Sequence, residues 1–278
     1  MSANLSMKNN QKTKVSAIVP VFNEEKRVGK VISTLLKSSL IDEVICINDG
    51  SSDKSLSVLK GFGKKIKLIN FPKNQGKGKA VSAGIRQAKG EFLLFCDSDL
   101  INFTLDHIKK MLAPILNGKT RVVFAVPALD ETGRYARHEI FLAGERIYPR
   151  KDLLPHISKL TRTRGAGGSE IVLNTLFRKK EVITVPLVGL KKPFKGSKWS
   201  SSLALKQGVL SIIGVLQESG RIEINSIRDL KQLENLIQVT TFEDLIGKIR
   251  ELKNKRLRII LEKYYKKYIT KYIKKIID

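Results

Sequence analysis

At 278 residues with 42% hydrophobic side chains, the chain is long enough to bury a core as one large domain, or as a domain with an appendage, which excludes a disordered polymer. Lys and Arg number 52 against 26 Asp and Glu, a formal charge of +26, which favours polyanions, anionic lipid or phosphorylated ligands without choosing among them. No run of about 18 apolar residues occurs, since the stretch from Leu203 to Leu216 is too short and carries Lys206 and Gln207, so no transmembrane helix is expected.

Residues 1–14 read as a polar lead-in without an apolar signal core, which predicts a cytoplasmic protein. Residues 15–20, Val-Ser-Ala-Ile-Val-Pro, have strand composition and stop at Pro20; Asn23 is a candidate N-cap for an amphipathic helix continuing to about residue 37. A second unit follows: the strand Glu43-Val-Ile-Cys-Ile, the polar turn Asn48-Asp49-Gly50-Ser-Ser-Asp53, and a helix to about residue 60. Residues 65–71 make a third strand, Asn74-Gln-Gly76-Lys-Gly78-Lys79 a glycine-rich turn, and residues 80–88 a helix of good formers. The fourth strand, Glu91-Phe-Leu-Leu-Phe-Cys, ends on Asp97-Ser-Asp99.

Strands alternating with helices at this spacing predict an α/β fold with a parallel sheet, right-handed crossovers and ligand groups along one edge. Strand alternation would point Asp97 and Asp99 the same way. Two hard oxygen ligands on one side suit Mn²⁺ or Mg²⁺ bridging to phosphate oxygens, although such a pair taken alone is more often a polar turn. Cys46 and Cys96 fall in buried strands with one strand between them, about 9–10 Å apart, too far for a disulfide. The known phosphate fingerprints fail: Gly76-Lys-Gly-Lys-Ala-Val lacks the third glycine of G-x-G-x-x-G, and no G-x-x-x-x-G-K-[ST] occurs. A nicotinamide enzyme and a P-loop ATPase are thereby disfavoured.

Val19-Pro-Val-Phe-Asn-Glu-Glu25, Asn48-Asp-Gly-Ser-Ser-Asp53, Asn74-Gln-Gly-Lys-Gly-Lys-Ala80 and Asp97-Ser-Asp99, in that order, resemble the nucleotide-sugar half of family-2 glycosyltransferases of the GT-A fold. The nearest likeness is to the branch of dolichyl- and polyprenyl-phosphate sugar transferases, over about residues 15–100. The resemblance implies a GT-A nucleotide-sugar-binding fold with a mostly parallel central sheet flanked by helices. It also implies roles. Asp49 would accept from the nucleobase imide, and Pro20, Phe22 and Glu24 would wrap base and ribose. Lys77 and Lys79 lie near a helix N-terminus, where cations and N–H groups favour phosphate. Asp97 would contact ribose or sugar and Asp99 would ligate the metal. Ile101 stands where polyprenyl-phosphate mannosyltransferases often carry Gln, a departure that leaves His138 as a candidate further ligand.

Beyond residue 120 the pattern continues with a strand over 122–128 and a charged loop of the sort that covers the acceptor side, holding His138 and, as candidates for binding the acceptor phosphate, Arg134 and Arg137. Residues 141–154 resemble the family's Gly-x-Arg helix. Gly165-Ala-Gly-Gly-Ser-Glu170 resembles its glycine-rich turn ending in an acid, and makes Glu170 a candidate active-site carboxylate. With Ser169 as N-cap, Glu170 would equally be a dipole-favoured acid of a first helical turn. A last strand spans 182–188, followed by a basic loop in which Lys192 is a candidate for binding phosphate. His107 and His156 read as surface residues. The domain assignment is a lead-in over 1–14, a glycosyltransferase domain over 15–200 divided near residue 100 into nucleotide-sugar and acceptor halves, and a helical, basic C-terminal region over 201–278. From Lys248 to Asp278, twelve Lys or Arg stand against three Asp or Glu, with Tyr and Ile pairs between them. Such an amphipathic tail suits the surface of an anionic membrane or a helix docked on its own domain.

The expected function is transfer of a sugar from a nucleoside diphosphate donor, UDP favoured, to a phosphorylated acceptor, polyprenyl phosphate first among them, with Mn²⁺ or Mg²⁺ and inversion at the anomeric carbon. A retaining sugar-3-phosphoglycerate synthase, suggested by Leu142-Ala-Gly-Glu145, is the rival enzyme; its metal-binding His is replaced here by Lys191-Lys192. From a different class, the charge would also serve a polyanion-binding protein. No RNA-reading aromatic module supports that reading, and no specific nucleic-acid partner is expected.

Overall fold

In the computed structural model, residues 13–128, 144–163, 168–177, 181–193, 236 and 242–253 are described, with isolated positions 255, 258, 259, 261 and 262. Seven strands form one sheet: β1 (Val15–Val21), β2 (Glu43–Asp49), β3 (Lys67–Phe71), β4 (Phe92–Phe95), β5 (Val122–Ala128), β6 (Arg146–Pro149) and β7 (Val182–Val188). Their spatial order is β3-β2-β1-β4-β6-β5-β7. Every neighbouring pair is parallel except those made by β6, which runs antiparallel to both β4 and β5. The expected mostly parallel α/β sheet is therefore present.

The apolar runs of β1, β2 and β4 are buried on both faces, as parallel strands between helix layers must be. On one face Ala17, Val19, Val44, Cys46 and Leu94 pack against α1 (Val28–Leu36), α2 (Ser55–Lys60) and α4 (Leu105–Leu116). On the other, Ile18, Ile45, Ile47, Leu93 and Phe95 meet α3 (Lys77–Gln87), the short helices α5 (Arg150–Leu153) and α6 (Ile157–Thr161), and α7 (Gly168–Phe177). Helix α1 shows why: Val28, Val31, Ile32 and Leu35 recur at helical spacing and are all buried, each contributing about 1.5–3 kcal/mol. Cys46 and Cys96 are free thiols on either side of β1. Burial pushes the Cys46 thiol up to about 12, so it packs as an inert hydrophobe. In the C-terminal region, α8 (Phe242–Arg250) buries Leu245 and Ile249. Most of the basic tail lies outside the described residues.

Four local expectations are corrected. Asn23 is not an N-cap: α1 starts five residues later, and Asn23 occupies the left-handed region at φ 54°, which Asn tolerates better than other non-glycine residues. Part of the stretch expected as a Gly-x-Arg helix is β6, since Ile147 and Tyr148 fill the slot between β4 and β5. His107 is buried rather than on the surface. Its ring Nδ1 accepts from the Thr104 N–H at 3.3 Å, closing a capping box at the start of α4. Its Nε2 must then carry the proton, donating to the Val188 carbonyl at 2.9 Å, which ties α4 to the end of β7. Finally, β4 ends at Phe95 and the chain turns at Ser98 and Asp99, so strand alternation does not set the direction of the two aspartates.

The glycine-rich turn divides its labour. Gly76 has φ 94° and precedes α3, whereas a Cβ on Gly78 would overlap Thr163 Oγ1 and the Leu160 carbonyl at the end of α6. Gly78 thus permits helix packing. Gly78→Ala is expected to lower stability by about 1–3 kcal/mol, the usual penalty for overpacking, read as an earlier urea midpoint at unchanged slope.

Candidate active site

The loops that follow β1, β2, β3 and β4 converge on one edge of the sheet because these strands are parallel. Antiparallel β6 brings its first residue to that same edge, with Arg146 in register with Phe95. Parallel pairing of β5 with β7 places Lys192, just past β7, there as well.

The β1 and β2 loops are fastened to each other. The Ser52 N–H donates to Asn23 Oδ1 at 2.8 Å and the Asn23 N–H to Ser51 Oγ at 3.1 Å. The Glu24 N–H donates to Ser55 Oγ at 2.7 Å, the Glu25 N–H to Asp53 Oδ2 at 3.0 Å, and the Lys54 N–H returns to Glu25 Oε2 at 2.8 Å. Pro20 and Phe22 are half-buried beside this seam, and Glu24 is buried with its carboxylate 3.6 Å from Arg27. Asp49, at the end of β2, is 3% exposed. It accepts from the Gln75 N–H at 2.7 Å through Oδ1 and from the Gly76 N–H at 2.9 Å through Oδ2. Sequence reasoning did not foresee this bracing of the glycine-rich turn. Each carboxylate oxygen has a second lone pair, so the brace is compatible with one further acceptance. Asp49→Ala strands these two N–H groups and is expected to lower stability by about 1–3 kcal/mol, the scale for unpaired buried donors, and to loosen protection of the Gln75 and Gly76 amides in hydrogen exchange.

Asp97 is the centre of the charged cluster. Lys77, in the first turn of α3, places Nζ 2.7 Å from Asp97 Oδ1, and Lys192 places Nζ 2.8 Å from Oδ2. The same Lys192 ammonium lies 2.8 Å from Oε2 of Glu145, which is fully buried. Glu145 Oε1 is 3.4 Å from the Asp97 N–H. A Cβ on Gly144 would overlap the Asp97 carboxyl group, so only glycine fits against it. Burial alone would raise the Asp97 carboxyl, but Lys192 and then Lys77 outweigh it and hold the group well below the usual carboxylate range. Burial pushes Glu145 upward; Lys192 opposes this and Asp97 reinforces it. For Lys192 burial works against the charge, yet Asp97 and Glu145 raise it above an ordinary lysine.

Lys192 is placed by backbone. The Ile101 N–H donates to the Lys191 carbonyl at 2.8 Å and the Lys191 N–H to the Ile101 carbonyl at 3.0 Å, a bridge that ties the end of β7 to the Asp97-Ser-Asp99 turn. Asp99 is half-buried on that turn. Lys79 is exposed, 3.5 Å from Gln75 Oε1. Buried Arg146, the first residue of β6, lies 4.2 Å from the Phe124 ring centre and donates to the Tyr148 hydroxyl at 3.2 Å. A pocket lined by Pro20, Lys77, Phe95, Asp97, Gly144 and Arg146 opens beside the cluster. Glu170 lies in the first turn of α7, with its side chain outside the described atoms. Arg134, Arg137 and His138 lie outside the described residues. Glu145 was the site member sequence reasoning missed. The available signal was its place in Leu142-Ala-Gly-Glu145, the stretch that suggested the rival enzyme.

Residues 16–179 match the model of glycosyl transferase family 2. Over 135 residues the chain is 33% identical to a dolichyl-phosphate beta-glucosyltransferase of Trichomonas vaginalis, covering 42% of this chain and 40% of that protein. Over 109 residues it is 33% identical to the glucosyl-3-phosphoglycerate synthase of Mycolicibacterium smegmatis, covering 37% of this chain and 36% of that one. These matches therefore span less than half of either relative. The fold is shared with a crystal structure of glucosyl-3-phosphoglycerate synthase from Mycobacterium tuberculosis in complex with Mn²⁺, uridine-diphosphate-glucose and glycerol 3-phosphate. The TM-score is 0.59 at 22% identity, over 76% of this chain and 82% of that one.

Proposed function

The chain belongs to glycosyl transferase family 2, and we propose that it moves a sugar from a nucleoside diphosphate donor, UDP favoured, to a phosphorylated acceptor. The observation that carries this reading is Asp97, gripped by Lys77 and Lys192 at the edge where the fastened β1 and β2 loops converge. The seam would hold base and ribose with little reorganisation on binding. Asp97 would orient sugar or ribose hydroxyls, and the lysines would face the diphosphate.

The donor set fits a divalent ion in one way. Among the described residues no three His, Cys, Asp or Glu gather as a metal cage, and each Asp97 oxygen carries an ammonium. Mn²⁺ or Mg²⁺ would thus be held by Asp99 with donor phosphate oxygens and water, a usual arrangement for Mg²⁺. The charges agree: Lys77 and Lys192 can donate to phosphate oxygens, but Asp97 and Glu145 offset their charge, so the net charge of a diphosphate is left to the ion. The ion, when bound, would neutralise charge on the departing diphosphate.

Dolichyl phosphate and glycerol 3-phosphate, named with these relatives, both carry phosphate, which supports a phosphorylated acceptor here. Among the described residues no helix is long and apolar enough to cross a membrane, and the basic tail would bring the enzyme to a polyprenyl phosphate at an anionic surface. A phosphate acceptor is anionic at neutral pH and needs no strong general base. Glu170→Gln is accordingly expected to retain turnover within about threefold, whereas a hydroxyl acceptor would make the loss about 10²-fold or more. Full-length protein with UDP-glucose, Mn²⁺ and either polyprenyl phosphate in vesicles or 3-phosphoglycerate tests the function. Lipid-linked glucose and released UDP support the first acceptor. Product only with 3-phosphoglycerate selects the rival, and none with either overturns this substrate assignment.

A further inference from the structure

Glu145 is 0% exposed and so touches no substrate, yet its two oxygens face two parts of the site. Oε1 faces the Asp97 N–H at 3.4 Å and Oε2 the Lys192 ammonium at 2.8 Å. A buried carboxylate is tolerated only when paired, so Glu145 fixes where the Lys192 ammonium sits as firmly as Lys192 stabilises Glu145. Lys192 is 27% exposed and retains access to a ligand. On a flexible four-carbon stem, Asp97 alone would hold the ammonium at one point, and Glu145 supplies a second. Lys77 approaches the other Asp97 oxygen at 2.7 Å, so two ammonium groups bracket one carboxylate.

We propose that Glu145 is a positioning residue that holds Lys192 as the second of two fixed cations, with Lys77 the first, for the diphosphate of the donor. The inference rests on the donor reading above, which supplies the ligand; the pairing of Glu145 with Lys192 is independent of it. Lys192 is then a binding residue and Glu145 acts only through it. Neutralising Glu145 should mimic a weaker form of removing Lys192, and removing both should do no more than removing Lys192.

The test is a double-mutant cycle on ligand affinity. The dissociation constants of UDP and of inorganic pyrophosphate, each with Mn²⁺ held constant, are measured by calorimetry for the full chain and for Glu145→Gln, Lys192→Met and the double variant. Lys192→Met is expected to weaken both ligands by about 10- to 100-fold, the range for one charge-assisted hydrogen bond. Glu145→Gln should weaken them about 3- to 10-fold at a nearly unchanged melting temperature, and the double variant should match Lys192→Met within about twofold. Lys192→Arg should restore most of the affinity. If Glu145→Gln does not fold, Glu145→Leu with Lys192→Met, which removes both charges together, replaces it against Lys192→Met alone. Unchanged affinity in Glu145→Gln, or losses that simply multiply in the double variant, overturns the positioning role while leaving the donor reading intact. Pyrophosphate binding with the expected cycle but no UDP binding keeps the role and overturns the donor reading. Binding of neither ligand by the unaltered chain overturns both.

Discussion

Asp97→Asn is expected to lower turnover by more than about 100-fold, on the scale of losing a preorganised polar group at a reacting centre, and to destabilise the fold at the same time. An asparagine offers one carbonyl oxygen and one NH₂ where Lys77 and Lys192 now meet two oxygens, so one ammonium would face a donor. Breaking a fully buried pair costs about 3–5 kcal/mol. These side chains are 20–31% exposed, and water screening reduces the expected loss to about 1–3 kcal/mol. The pH dependence has a definite sign. Asp97 titrates below its unfolded value of about 3.9 because the two lysines favour its charged form. Its contribution is therefore complete above about pH 4 and is lost as pH falls through the lower folded value. Asp97→Asn should remove that acid-side loss, so the stability curves of variant and parent converge at low pH. Parallel curves would reject the ion-pair account.

Asp99→Asn separates the metal from the lysine cluster. Replacing the carboxylate proposed to hold the ion by a neutral amide on a half-buried turn should leave the melting temperature close to that of the parent. Metal-dependent donor turnover should fall by about 10²- to 10³-fold, the scale for removing stabilisation of developing charge. Near-normal turnover at the same Mn²⁺ concentration would show that Asp99 is not the ligand. The two variants differ in their stability signature: Asp97→Asn melts early and Asp99→Asn does not.

The first half of the fold was legible because its short apolar strands, polar turns and amphipathic helices are local features; further on, β5 and β7 keep the boundaries their composition predicted, whereas β2 runs two residues into its expected turn. Asp97 and Asp99 were also legible, as carboxylates at the end of an apolar run. What was not legible depends on distant partners. The side-chain oxygen of Asn23 is taken by Ser52, from the next loop, and a one-dimensional reading assigned it to the helix that follows. His107 looked like a surface residue until β7 supplied the Val188 carbonyl. Ile101 lacks a ligating side chain, and its backbone ties Lys191 to the turn instead. Glu145 gains its meaning only when antiparallel β6 is inserted beside β4, a pairing that nothing in residues 144–149 announces.

The central claim is that this sheet edge binds a nucleoside diphosphate together with a divalent ion. Its most direct measurement is the melting temperature of the full chain with UDP, with Mn²⁺, with both, and with a single-stranded oligonucleotide at two salt concentrations. A ligand at 100 times its dissociation constant stabilises the folded state by about 2.7 kcal/mol, several degrees for a domain of this size. UDP with Mn²⁺ is expected to raise the melting temperature by such an amount, either alone to do much less, and the oligonucleotide to do nothing. No response to UDP at any Mn²⁺ concentration, with an oligonucleotide response that collapses as salt rises, would contradict it.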